Sequence, residues 1–235
     1  GAIGTIIHVG LACWHETDSV KWAHTAASYR YKHEVEVAAS LGLTDLAWEI
    51  EDHHKAVMCA LDYAMEHPVL PKHWTVIEAE MRLRAYGPCV VDLVVDTPTG
   101  VVFVDYKTKV RLDPKYEAEW AAQYEADWQM HHYTWALQAY SEQAVMSYAV
   151  VLIVVLPRPR IKLFTFPVQR ELVNRWLNVA APAWRAIHDA NDNPPYENDT
   201  HMDGRWKCEF FDACVLYKRD PALMQVSYVR GPQHD

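Results

Sequence analysis

The chain has 235 residues, 51% of them hydrophobic and 23% charged, which are the proportions of one globular domain with a sizeable core. A net charge of −9 and a pI near 5.8 argue against tight, non-specific coating of duplex nucleic acid. No apolar run approaches the roughly 20 residues a membrane-spanning helix needs, and no secretory signal is visible, so no membrane partner is expected.

Apolar residues recur at helical spacing over 4–16, 19–40 and 44–66, until Pro68 and Pro71 break the pattern. Residues 74–85 alternate, with Thr75, Ile77, Ala79, Met81 and Leu83 on one side, and predict a strand with one buried face. Strands over 89–95 and 101–108, joined by Thr97-Pro98-Thr99-Gly100, read as a hairpin. A long helix is predicted over 114–141, a strand pair over 144–156 and 161–167, and an amphipathic helix over 168–190. After Asn191 the composition turns to Asn, Asp, Pro and Gly, which predicts an irregular C-terminal lobe over 191–235 attached to a core of residues 1–190. The fold class expected is α/β, a central mixed β-sheet flanked by helices.

The hairpin carries the chemistry. Each strand holds one aspartate, Asp92 and Asp105, and Lys107 follows the second by two. Residues two apart on a strand share a face, so Asp105 and Lys107 project together. Two carboxylates and an ammonium at a strand end can hold a hard cation such as Mg²⁺ or Mn²⁺ and hydrolyse a phosphodiester. Lysine there can orient the attacking water and offset charge developing on phosphate.

Four features in this order resemble the RecB-like branch of the PD-(D/E)XK nuclease superfamily. Gly4-Thr5-Ile6-Ile7-His8 fits its G-x-x-x-H helix, Val76-Ile77-Glu78-Ala79-Glu80 its acidic strand, the Asp92/Asp105/Lys107 hairpin its centre, and Gln129-Met130-His131-His132-Tyr133 its Q-x-x-x-Y helix. Members often have glycine two or three positions before the first aspartate, where this chain has Cys89 and Val90. The resemblance implies a restriction-endonuclease-like core and a divalent metal held by His8, Asp92, Asp105 and the backbone carbonyl of Tyr106. Lys107 is implied as the water-orienting cation, and Glu78 as a contact to a second metal or a water.

Gln129 and Tyr133 share a helix face, from which they can hydrogen-bond a phosphate or a base. Trp128, Trp135 and Tyr140 could stack on bases, although aromatics at helical spacing are more often core. Lys109 and Arg111 extend a basic cluster toward DNA with Lys115, and Arg158, Arg160 and Lys162 form another. His131, His132, His53 and His54 are not read as metal ligands, and one of the His131/His132 pair is expected to face solvent.

Five cysteines, an odd count without a secretion signal, argue against a disulfide framework. Many RecB-like nucleases carry an iron–sulfur cluster, and Cys208 and Cys214 resemble the end of its C-terminal cysteine group. The preceding member would fall near His201, and Cys13 lies after His8 rather than before it, so four thiolates cannot be assembled. A zinc site of His201, Cys208 and Cys214 is the alternative to a degenerate lobe filled by Trp206, Phe210 and Phe211.

The resemblance implies a metal-dependent deoxyribonuclease acting on single strands or duplex ends. An exonuclease is expected rather than a sequence-specific endonuclease, because no recognition module is apparent. Recombination, repair, phage DNA processing or CRISPR spacer acquisition are the settings implied, in a bacterial or phage-encoded cytoplasmic protein. A binding subunit that has lost catalysis, within a recombination or CRISPR-adaptation complex, is the alternative; a metalloenzyme acting on a small phosphorylated substrate is the third. Gly1-Ala2-Ile3 stands so close to His8 that the chain is expected to start inside a longer natural sequence or with residues left from cloning. Oligomeric state is not legible.

Overall fold

A computed structural model of the chain describes residues 2–84, 88–141 and 143–189. Three helices come first: α1 (Ala2–Thr17), α2 (Val20–Ser40) and α3 (Thr44–Glu66). Ser19 starts α2 by accepting the Trp22 N–H, and Gly42 reverses the chain after it at φ +72°, a left-handed conformation that glycine adopts without steric cost. Gly10 lets α1 nestle into the other two helices. A Cβ there would stand 2.7 Å from Leu61 of α3 and 3.3 Å from Ala27 of α2.

Five strands follow in the order in which they lie in the sheet: β1 (Thr75–Arg84), β2 (Pro88–Thr97), β3 (Gly100–Arg111), β4 (Val145–Leu156) and β5 (Arg160–Pro167). All neighbours are antiparallel except β3 and β4, which run parallel. A parallel pair needs a crossover, supplied here by α4 (Glu117–Ala122) and α5 (Trp128–Tyr140). One core lies against α1–α3 and includes Leu93, Val95, Val102, Val104, Tyr106, Val151 and Ile153. The other lies against α4 and α5 and includes Val91, Phe103, Tyr148, Val150, Leu152, Trp120, Met130 and Leu137. Covered on both faces, β4 is apolar almost throughout, as central strands are. The α/β class, a mixed sheet flanked by helices, is what the sequence predicts.

Two local predictions differ. The long helix expected over 114–141 is broken: α4 ends in a 3₁₀ turn at Gln123–Glu125, and Asp127 takes an extended conformation and caps α5 by accepting the Gln129 N–H at 2.7 Å. A capping aspartate competes with the helical backbone, which the periodicity of neighbouring apolar residues conceals. The alternation of β1 is interrupted as well. Its pairing with β2 slips between Val76 and Glu78, Ile77 is exposed, and Glu80 takes φ +50°. Ala79 therefore joins the α1–α3 core, while Met81 and Leu83 join the α5 core. The paired strand changes faces at the same level, Leu93 going with the first core and Val91 with the second.

From Arg170 the chain forms a separate unit, of which α6 (Arg170–Asp189) is described, with Pro182 inside it. His201, Cys208, Cys214 and the lobe expected over 191–235 lie outside the described residues. Among the described residues, no helix is long and apolar enough to cross a membrane.

Candidate active site

Strand periodicity separates the side chains of β3. Tyr106 points into the α1–α3 core, so Asp105 and Lys107 point to the α5 side. The β2–β3 ladder ends at Leu93↔Val104, and beyond it Asp92 and Asp105 face each other where the strands part. The Tyr106 N–H, which has no ladder partner on β2, donates instead to Asp92 Oδ2 at 2.7 Å. In an extended strand the N–H and C=O of one residue reach toward the same edge, so the Tyr106 carbonyl shares that opening.

Four elements surround the opening. From α1, His8 Nδ1 stands 3.6 Å from Asp92 Oδ2. On the α5 side, Lys107 Nζ lies 2.9 Å from Asp105 Oδ2 and donates to Gln129 Oε1 at 2.7 Å. Gln129 in turn donates through Nε2 to the Tyr133 hydroxyl at 2.8 Å. This fixes the orientation of the amide, since the ammonium requires its oxygen. The Lys107 ammonium also lies 5.7 Å from the centre of the Tyr124 ring. The Asp105 side chain is 3% exposed, whereas those of His8, Asp92 and Lys107 retain 22, 17 and 24%. The cluster is therefore buried but open on one side.

Burial shapes the charges. It pushes Asp92 up to about 7, with the Tyr106 amide and Lys107 pulling down and Glu80 adding to the rise. It pushes Asp105 up to about 6, against the pull of Lys107 and with a further push from Asp92. The same burial lowers His8 to about 4, so its imidazole is neutral at pH 7 and has a lone pair to give. Burial also pulls on Lys107, but the carboxylates, Asp105 foremost, outweigh it and raise its pKa. Lys107 is thus a fixed cation and not a general base.

Glu78, a sequence candidate, is exposed; Glu80 occupies the position opposite Asp92, between the Ala79↔Leu93 and Met81↔Val91 pairs. Glu80 is half-buried and its pKa is raised, first by burial and further by Glu16, against Arg82. Alternation alone puts Glu78 and Glu80 on one face, and only the register with β2 separates them. Asp127, which holds Gln129 and acts electrostatically on Lys107, also escaped the sequence reading. Its signal was the Asp-x-Gln spacing at a helix start.

Lys109 follows Lys107 by two along β3, half-buried, and exposed Arg111 continues the row. Two of the three residues of the second basic cluster are committed elsewhere: Arg160 Nη2 and Lys162 Nζ lie 3.1 and 3.3 Å from the buried carboxylate of Glu117, and Arg160 also donates to the Leu112 carbonyl. Among the histidines not expected to bind metal, His131 is buried and His54 stacks on Tyr31. Tyr140 is exposed and Trp135 lies against the α5 core.

Residues 2–215 match the profile of the PD-(D/E)XK nuclease superfamily. The chain belongs to that superfamily. No curated protein matches. Among solved structures, the crystal structure of SSO0001 is similar at 11% identity and a TM-score of 0.28, over 69% of this chain and 72% of the other. That likeness is too slight to bear on function.

PD-(D/E)XK enzymes generally hydrolyse phosphodiester bonds and typically use divalent metals such as Mg²⁺. The donors around Asp92 suit such an ion. Among the described residues, His8 Nε2 is a buried polar atom without a hydrogen bond, which is costly unless something else satisfies it, and Asp105 has the Lys107 ammonium alone at its Oδ2. Among the described residues, no three His, Cys, Asp or Glu side chains form a group that could hold a metal ion by themselves. Mg²⁺ does not require one, because it keeps several waters and takes one or two carboxylates plus substrate phosphate.

Proposed function

We propose that this protein is a metal-dependent DNA nuclease of the RecB-like type, acting as an exonuclease on single strands or duplex ends. One observation carries the reading: two carboxylates and a fixed lysine meet where β2 parts from β3, beside the orphaned Nε2 of His8. His8, Asp92, Asp105 and the Tyr106 carbonyl would hold Mg²⁺ or Mn²⁺, which supplies Lewis-acid polarisation of the phosphodiester and eases ionisation of a nearby water.

The residues of the chain do the rest. Lys107, a cation through the physiological range, orients the attacking water and offsets charge on the phosphate. Gln129 holds the ammonium in place from the α5 side. The Tyr133 hydroxyl accepts from Gln129, so its own proton remains to be donated to a phosphate oxygen. Lys109 and Arg111 continue the cationic row and give the strand a track leading from the opening. The intact trio of Asp92, Asp105 and Lys107 weighs against a binding subunit without catalysis.

End-labelled single- and double-stranded DNA, incubated with and without Mg²⁺ or Mn²⁺ beside Lys107→Ala, tests the proposal. Metal-dependent shortening from the ends, slowed at least about 100-fold in the variant, is expected. Internal cuts without end-wise shortening would replace the exonuclease reading with an endonuclease. Intact DNA under both metals would overturn the nuclease reading altogether.

A further inference from the structure

The Tyr106 side chain does something its backbone does not. Its ring is buried, and its hydroxyl lies 2.8 Å from His15 Nε2 at the far end of α1. His15 stacks on the same ring at 6.2 Å between centroids, and His8 lies 6.0 Å from that ring on the same helix. The two histidines are two turns apart on α1, about 10 Å along the axis, and so share one face. One tyrosine therefore connects three things: its N–H holds Asp92, its hydroxyl holds His15, and its ring lies against both histidines.

We infer that His15 is a positioning residue for the metal centre, acting through the Tyr106 hydroxyl to fix where α1 sits along β3 and hence how far His8 stands from Asp92. This rests on the reading of His8, Asp92 and Asp105 as metal ligands. Shape alone does not account for the hydroxyl, since phenylalanine would fill the same core. Only a hydrogen bond gives helix and strand one register, because ring packing tolerates sliding that a directional donor–acceptor pair does not. Gly4, one turn before His8, brings α1 equally near β3 at Thr108 (3.6 Å from a Cβ built there), so a small axial slip would carry through to the site. Supporting partners of metal ligands commonly affect affinity as strongly as a weak ligand does.

The experiment is Mn²⁺ titration of the full chain, read by electron paramagnetic resonance of the free ion, for wild type, Tyr106→Phe, His15→Phe, His15→Gln and the Tyr106→Phe/His15→Phe double variant. Tyr106→Phe removes a single oxygen, so it keeps the inference testable if His15→Phe does not fold. Expected are losses of Mn²⁺ affinity of roughly tenfold in each Phe variant. The double variant should lose no more than either single one, and His15→Gln, whose amide can meet the hydroxyl, should recover most of the affinity. Wild-type affinity in Tyr106→Phe would overturn the inference alone, and so would additive losses in the double variant. A wild type that takes up no Mn²⁺ would overturn the ligand assignment and this inference with it.

Discussion

Two buried carboxylates, Asp105 on β3 and Glu117 at the start of α4, each sit beside basic residues, and they differ in how fully those residues compensate them. Glu117 is saturated. Arg160 reaches one of its oxygens and Lys162 the other, and the spare donor of the arginine goes to the Leu112 carbonyl. Asp105 is left short. It has one cation, Lys107, and a second carboxylate opposite it that draws on the same cation. A fold has no reason of its own to maintain the second arrangement, since an under-compensated buried carboxylate costs stability. Its persistence is intelligible if something else, a cation, completes it.

The largest effect should come from Asp105→Asn, which keeps the shape and removes the charge. Nuclease activity is expected to fall by at least about 1,000-fold while the melting temperature holds or changes little. A variant that melts far below wild type would make Asp105 a structural residue like Glu117. The reverse variant, Glu117→Ala, should cost about 1–2 kcal/mol in urea unfolding and leave the activity per folded molecule intact, because its partners stay partly solvated. Selective loss of activity there would erase the distinction between the two clusters.

Smaller effects sharpen it. Replacing Lys109 and Arg111 with alanine should weaken DNA binding several-fold and flatten its salt dependence by roughly 0.7–0.9 per charge removed, with Mn²⁺ uptake unchanged. An unaltered salt slope would remove both from the DNA track. The smallest signal concerns protons. Asp92 and Asp105, raised to about 7 and about 6, hold protons at pH 6 that an incoming cation must displace, whereas His8, lowered to about 4, is already neutral and releases none. Calorimetric Mn²⁺ titrations in buffers of different ionisation enthalpy should show roughly one proton released per ion at pH 6 and close to none at pH 8.5. Equal release at both would mean these carboxylates are not the ones being metallated.

What was legible in the sequence follows from what is local. The pairing of Asp105 with Lys107 needs only the two-residue period of a strand, and the Gln129–Tyr133 contact only the turn of a helix. Element order and most boundaries were legible for the same reason, since long amphipathic helices and an apolar central strand announce themselves. The exchange of Glu78 for Glu80 beside Asp92 was not, because it depends on a slip in the β1–β2 register and on a left-handed glutamate, a conformation costing about 1 kcal/mol that no sequence pattern marks. Nor was the diversion of Arg160 and Lys162 to Glu117, 43 and 45 positions away. Charges in a sequence cluster show their neighbours along the chain, not their partners across it.

The parting of β2 from β3 also bears on how the molecule comes together. Asp92 and Tyr106 are 14 positions apart and Lys107 and Gln129 are 22, while the hydrogen bond that seats α1 on β3 joins His15 to Tyr106 across 91. Closing the short loops costs less chain entropy than closing the long one, so the hairpin with both aspartates can form ahead of helix docking. The helix that brings His8 is the distant partner. On that order, a partly opened chain presents its acidic hairpin without the histidine, and a complete centre exists only once α1 has docked on the sheet.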